Sequence, residues 1–363
     1  MKIAIIGSRG IPARYGGFET FAQEVAPRLV SLGHDVTVYC RAGYTGRQSY
    51  VEGVSLIHTP YLKVQALETP THELTSILDS FRRGFDLYYF LGTRSSPLYL
   101  LVRALGKPVV VHTDGIEWKR AKWGRVGRAW LRASERMATR LPGARLVTDA
   151  EAMRAYYLRA YGKDSTFIPY GAAVVEEADP APLDGWGLEP GGYHLIVARM
   201  EPENNITSII EAFRDSGSSR RLVIVGDANY ETPYVRKVRS LAATVPGAQL
   251  LGAAYGADLV ALRFNALSHI HGHEVGGTNP SLLEAMGCGN LVLALETEFN
   301  REVLADAGLY WSTGESLARL IAEVESGSMR ASELGEEARS RVGALYAWDD
   351  VAERHDTLFR SLV

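Results

Sequence analysis

His269-Ile270-His271-Gly272-His273-Glu274-Val275-Gly276-Gly277-Thr278-Asn279-Pro280-Ser281-Leu282-Leu283-Glu284-Ala285-Met286-Gly287-Cys288-Gly289-Asn290 is the stretch on which the fold turns. A short apolar run (Ala266, Leu267, Ile270) ends in a polar, Gly-rich loop. Pro280 stands where a first helical turn would begin, a position that tolerates a missing N–H. Leu282, Leu283 and Met286 follow at helical spacing, Gly287 and Gly289 close the helix, and Leu291 to Ala294 reads as the next buried strand. The order is strand, Gly loop, helix, strand.

Such a loop has a particular chemistry. Gly276 and Gly277 carry no Cβ, so a ligand can come close to the backbone. The N–H groups of Gly277, Thr278 and Asn279 would project from the helix start with the positive end of its dipole behind them, a site suited to a diphosphate. Glu284, one turn in, cannot favour phosphates but can accept two ribose hydroxyls. The spacing alone leaves a plain Gly-rich turn with a surface Glu equally open.

Working outward, the rest of the chain repeats the pattern. Ile3 to Ile6 is a buried parallel-type strand. Residues Gly7 to Thr20 then give G-x-x-G with Pro12 and a later Gly pair, not the G-x-G-x-x-G of a dinucleotide site, which argues against a nicotinamide oxidoreductase. Helices are predicted over Phe18–Leu32, Thr71–Arg83 and Pro97–Leu105; strands over His34–Cys40, Val54–His58, Phe85–Leu91, Pro108–His112 and Leu146–Ala150. Arg41–Gly53 reads as a surface loop. The acidic, Pro- and Gly-rich Val174–Gly192 reads as a linker or as the start of the second domain, and Tyr193 to Ala198 opens a second alternating set. The fold class expected is therefore α/β, two doubly wound Rossmann-like domains whose ligands bind at the carboxyl ends of strands.

Composition bounds the function. At 363 residues there is room for two domains, and a formal charge of −3 supplies no global field for nucleic acid. Cys40 and Cys288 lie in core-like segments with no metal spacing, which points to a reducing cytoplasm. No apolar run approaches about 20 residues, so no membrane span is expected. No residue pair reads as the nucleophile and acid of a hydrolase.

Two further stretches carry chemistry. His112-Thr113-Asp114-Gly115-Ile116-Glu117-Trp118 ends a strand with more polar and aromatic residues than a turn needs; Glu117 reads equally as an acid facing a helix N-terminus. From Glu117 to Arg140 the chain is basic and amphipathic, with Trp118, Trp123 and Trp130 interleaved. That pattern suits an anionic bilayer surface, although a core helix with a solvated basic face has the same pattern.

The run Gly277 to Gly289 resembles the donor-binding signature of family 4 retaining glycosyltransferases, which have the GT-B fold. Glu284 matches the second Glu of that signature, which holds the ribose; Gly276 stands where the first Glu would be. The H-G-H-x-V-G-G-T-N-P run, the H-x-D-G-x-E-W-K-R run at 112–120 and E-P-E-N-N at 201–205 resemble bacterial rhamnosyltransferases of cell-surface polysaccharide assembly. The resemblance implies two Rossmann-like domains facing a cleft, residues 1–172 for the acceptor and 173–345 for the nucleotide-sugar, with 346–363 crossing back as a helix on the first. It implies transfer of L-rhamnose from dTDP-β-L-rhamnose, with retention, to a hydroxyl of a lipid-diphosphate-linked sugar at the inner face of the cell membrane. No metal and no cofactor beyond the donor substrate are expected. Donor contacts would come from Gly16 and Gly17, from Arg199 on the diphosphate with Asn204 in place of a usual Lys, and from Gly276, Gly277, Thr278, Asn279 and Glu284. His112, Asp114 and Glu117 would line the sugar or acceptor pocket, and Asp149 and Tyr170 would lie near the reacting sugar; Asp149 also reads as an N-cap. His269, His271 and His273 alternate along a strand end and would line the sugar pocket, the alternative being a metal cluster. Rival readings are a transferase of UDP- or GDP-hexose, a sugar-nucleotide epimerase, and a nucleotide-sugar-binding protein without turnover.

Overall fold

A computed structural model of the chain describes all residues except 15, 45, 47, 65, 114, 121, 122, 228–230, 328 and 329. It divides into two compact units, one of Met1–Gly171 with Trp348–Val363 and one of Ala172–Ala347.

The first unit runs β1 (Lys2–Ile6), α1 (Gly17–Ser31), β2 (Asp35–Arg41), β3 (Tyr50–Val51), β4 (Val54–Thr59), α2 (Glu68–Ser80), β5 (Leu87–Leu91), α3 (Ser96–Ala104), β6 (Val109–His112), α4 (Arg125–Arg140), β7 (Arg145–Thr148), α5 (Glu151–Tyr161) and β8 (Thr166–Phe167). The strand order is β3-β4-β2-β1-β5-β6-β7-β8, parallel throughout except for the β3–β4 edge pair. Continuous apolar strands are what a sheet covered on both faces requires: Ile3 to Ile6 and Val109 to Val111 are fully buried. The expected loop at 41–53 holds β3, because Glu52 and Gly53 both take positive φ and fold a tight hairpin onto β4.

The second unit runs β9 (Tyr193–Val197), α6 (Ile206–Ser216), β10 (Arg221–Val225), α7 (Pro233–Thr244), β11 (Ala248–Gly252), α8 (Gly256–Phe264), β12 (Ser268–His271), α9 (Pro280–Gly287), β13 (Val292–Leu295), α10 (Glu298–Leu304), β14 (Leu309–Trp311), α11 (Gly314–Glu325) and α12 (Ala331–Leu345). Its sheet is ordered β11-β10-β9-β12-β13-β14, all parallel. Ile196, Ile224, Ile270 and Leu293 face a core completed by α6, α7 and α11; Leu195, Val223 and Leu262 form a second core on the opposite face.

In both sheets the chain winds outward from the middle in two directions. The reversal lies between β1 and β5 in the first unit and between β9 and β12 in the second. Loops diverge there above the strand ends, and ligands of open α/β sheets bind at such a point.

The final helix, α13 (Trp348–Arg360), belongs to the first unit. Trp348, Val351, Ala352, His355 and Phe359 are buried and lie on one helical face. Burying Trp348 and Phe359 contributes about 1.5–3 kcal/mol each. His34 Nε2 meets Asp356 Oδ1 at 2.6 Å, and Arg28 Nε donates to Asp349 Oδ1 at 2.7 Å, which fixes α13 along α1.

Candidate active site

The stretch His269 to Asn290 folds as strand, loop and helix at the switch point of the second unit. α9 begins at Pro280, and Asn279 caps it, its Oδ1 accepting from Ser281 N at 3.0 Å. Ser281 Oγ donates to the carbonyl of Val197, the last residue of β9, at 2.8 Å. That bond sets the start of α9 beside the end of β9 and therefore beside Arg199. Arg199 is half-buried, and no carboxylate among the described residues pairs with it. A cation next to the amide-rich start of a helix offers an anion two sources of positive potential. Gly277 and Thr278 are buried, while a Cβ on Gly276 would meet open space.

Glu284 lies one turn into α9, one third exposed. Its Oε2 is held at 2.5 Å by Nη2 of Arg263 from α8, whose side chain is only 6% exposed. A buried guanidinium behind the carboxylate keeps it oriented with one oxygen committed. Asn290 Nδ2 secures the Arg263 carbonyl at 2.6 Å. The sequence reading passed over Arg263, and the signal was an Arg near the end of an otherwise apolar segment, Leu259-Val260-Ala261-Leu262-Arg263.

Asn204 departs from its expected role. Its amide donates to the Arg199 carbonyl at 2.8 Å and the residue is 3% exposed, so it shapes the loop that carries Arg199. It offers the diphosphate no charge in place of the Lys.

His269 and His271 are fully buried and stack with His273 along one face of β12, 6.1 and 4.4 Å between successive ring centroids. Burial pushes His271 down to about 3 and His269 well below the ordinary imidazole value, so both rings are neutral. Among the described residues no group of three or more His, Cys, Asp or Glu is disposed to hold a metal ion.

In the first unit the structure brings His112 and Tyr170 together and sets Asp149 near Tyr89. His112 ends β6, and its ring lies 4.9 Å from Phe21, 5.5 Å from Tyr170 and 6.3 Å from His355, centroid to centroid. Burial, with His355 nearby, pushes its pKa down to about 3. Nδ1 lies 3.1 Å from the Thr113 carbonyl and donates to it, so Nε2 carries a lone pair and has no partner. A neutral imidazole of this kind accepts a hydroxyl proton in a hydrogen bond; it is not a general acid. Asp149 is 1% exposed and close enough to Tyr89 to help raise that phenol's pKa. The position that caps α5 is Ala150, directly after Asp149. Asp114 lies outside the described residues.

Glu117 sits in a short 3-10 turn, Glu117–Lys119, separate from α4. Its Oε1 takes Arg94 Nη2 at 3.0 Å and Trp123 Nε1 at 3.0 Å, and its Oε2 takes Arg120 Nε at 2.9 Å. With both oxygens engaged by cations, Glu117 acts as a tie between loops rather than as a pocket acid or a helix-end acid. The basic stretch 117–140 is not one helix: Gly124 is extended, and α4 begins at Arg125. Trp118 is covered by the Arg132 guanidinium at 3.9 Å, whereas Trp130 is 51% exposed.

Gly16 caps α1 with φ 118°, and a Cβ there would overlap the Glu19 carboxylate, which accepts from Arg9 N at 2.7 Å. Glycine is therefore required at 16 by backbone conformation and by space. Gly17 is the first residue of α1.

Two family models cover most of the chain: "Glycosyl transferase 4-like domain" matches residues 16–171 and "Glycosyl transferases group 1" matches residues 189–341. The chain belongs to the GT-B glycosyltransferases. Its fold is similar to that of sucrose-phosphate synthase from Thermosynechococcus elongatus, with TM-score 0.83 and 17% identity over 99% of this chain and 98% of that one. Anabaena HepE in complex with UDP and glucose gives TM-score 0.80 at 16% identity, covering 99% and 100%. WaaG, a glycosyltransferase involved in lipopolysaccharide biosynthesis, gives 0.74 at 16%, covering 96% and 98%. No curated protein sequence matches the chain. The glycosyltransferase's α3 and α4 are short of a membrane span, and no helix among the described residues is long and apolar enough to cross a membrane.

Proposed function

We propose that this glycosyltransferase moves L-rhamnose from dTDP-β-L-rhamnose, with retention, to a hydroxyl of a lipid-diphosphate-linked sugar. The observation that carries a nucleotide-sugar donor is the unpaired, half-buried Arg199 beside the amide-rich start of α9, with Glu284 one turn in. The rhamnosyl part rests on the H-G-H-E-V-G-G-T-N-P run and on Gly276 in place of the family's first Glu.

In this reading the acceptor oxygen bonds to the sugar's anomeric carbon as the bond to the diphosphate breaks, and the leaving diphosphate takes the acceptor proton. Arg199 and the Gly277, Thr278 and Asn279 amides stabilise the charge that develops on the diphosphate. Glu284 accepts the ribose hydroxyls. His112 accepts a sugar hydroxyl through Nε2, and Asp149, Tyr170 and Asp114 complete the acceptor and sugar pocket. The reaction needs no metal.

The lipid acceptor would bring the enzyme to the inner face of the cell membrane. Arg125, Arg128, Arg136 and Arg140 line α4, and none pairs with a carboxylate among the described residues. Val126, Trp130, Leu100, Leu101 and Leu105 are exposed on α4, α3 and the residue after α3. Arginines flanking apolar side chains favour an anionic bilayer surface.

HepE bound to UDP and glucose favours a second donor, a UDP-hexose. A thermal-shift panel with UDP, dTDP, GDP and their sugars separates the two. Transfer to a short polyprenyl-diphosphate-GlcNAc analogue, followed by mass and run with and without EDTA, then tests the reaction. The proposal expects stabilisation by dTDP species and a gain of one deoxyhexose in both conditions. Stabilisation by UDP species and a hexose gain would install the second reading, and no response to any nucleotide would remove both.

A further inference from the structure

In the second unit, the loops after β9 and β12 leave adjacent strands, and one side chain joins them. Asn205 lies between Arg199 and α6 in the left-handed conformation, φ 55° and ψ 25°. Its Nδ2 donates to the Gly272 carbonyl at 3.0 Å and to Glu274 Oε1 at 2.9 Å. The Glu274 N–H returns a bond to the Glu203 carbonyl at 2.9 Å. The loops are so close that a Cβ on Gly272 would sit 2.6 Å from the Asn204 carbonyl oxygen. On the other flank, Asn300 Nδ2 donates to the carbonyls of His273 and Leu295 at 3.2 and 2.8 Å.

Gly272, His273 and Glu274 are thus each fixed from a neighbouring segment, immediately ahead of the amides at 277–279. We infer that Asn205 is a positioning residue for the nucleotide-sugar: it locks the loop bearing Arg199 and the loop leading into α9 into one body. The inference rests on the nucleotide-sugar reading of this site. Ordering both loops before the ligand arrives removes that ordering cost from binding. The residue type follows from the contacts. Both partners are acceptors only, so a side chain with two N–H donors is needed, and Asn is among the few non-glycine residues that adopt a left-handed backbone readily.

The test is calorimetric binding of UDP and dTDP to the full-length protein. Asn205→Asp keeps the shape, removes both donors and sets a carboxylate against Glu274. It should weaken nucleotide binding by about 10- to 100-fold at an unchanged melting temperature. Glu274→Gln alone should stay within about threefold, because its Oε1 still accepts from Asn205. The double variant N205D/E274Q should recover part of the loss, since the new amide can donate to the new carboxylate, a rescue that a merely structural role would not produce. If N205D unfolds, Asn205→Gly keeps the backbone conformation and should weaken binding about tenfold. Unchanged affinity in a folded N205D or in Asn205→Gly, or a double variant no better than N205D, would overturn the inference alone. Wild-type protein that binds no nucleotide would remove the donor-site reading as well.

Discussion

Glu284→Gln separates what the Arg263–Glu284 pair does for stability from what it does for the nucleotide. The substitution leaves a guanidinium that is 6% exposed without its counter-charge. Breaking a fully buried pair costs about 3–5 kcal/mol. Glu284 is one third exposed, and water already screens part of the attraction, which lowers the cost to about 2–3 kcal/mol. For a domain of this size that is a fall in melting temperature of about 4–12 °C. Nucleotide affinity should fall independently, by about 10- to 100-fold, because a charged acceptor of ribose hydroxyls becomes a neutral one. Arg263→Met added to Glu284→Gln removes the stranded charge and should restore most of the melting temperature, while affinity stays low. The assay is thermal denaturation without ligand, paired with calorimetric titration of UDP and dTDP. Affinity that is unchanged in Glu284→Gln, or that returns in the double variant, would refute the ribose role; a melting temperature that does not move would refute the buried-pair calculation.

Acid should unfold the protein through its buried histidines. Burial holds His112 and His271 at about 3 and His72 and His355 at about 4, below the unfolded value near 6.5, and shifts His194 and His269 the same way. The unfolded chain therefore binds more protons between about pH 4 and 6.5, and stability is lost as pH falls through that window, by up to about 1.4 kcal/mol per pH unit for each group. Glu73, raised to about 7 by burial, works in the opposite direction between about pH 4.5 and 7 and offsets roughly one histidine. Denaturant midpoints from pH 4.5 to 7 check this, and a flat profile contradicts it. For the α4 surface, Arg125→Gln, Arg128→Gln and Arg136→Gln together should weaken binding to phosphatidylglycerol vesicles by about 3 kcal/mol, roughly 100-fold. Sedimentation with anionic and neutral vesicles reads the loss; wild-type protein that pellets with neither would count against the surface.

The order of strands and helices was legible in the sequence because each element's pattern is local. Ile3 to Ile6 and Val109 to Val111 are unbroken apolar runs, and only a strand covered on both faces calls for them. The loop ahead of α9 was legible for the same reason: glycines, a capping Asn and Pro280 act within a few residues. What the sequence could not supply were partners brought from a distance. Glu117 read as a pocket acid until Arg94, 23 positions away, and Arg120 occupied its carboxylate. Arg263 meets Glu284 only because the fold brings the end of α8 to the first turns of α9, and Asn205 reaches Gly272 across 67 positions of chain. His112 reads alone as an ordinary titrating group; its neutrality comes from the rings of Phe21, Tyr170 and His355 around it. Local sequence determines backbone conformation because torsional preference and hydrophobic period act over a few residues. Charge state, committed hydrogen bonds and exposure depend on what the fold carries to within a few ångströms, and only the tertiary structure decides that.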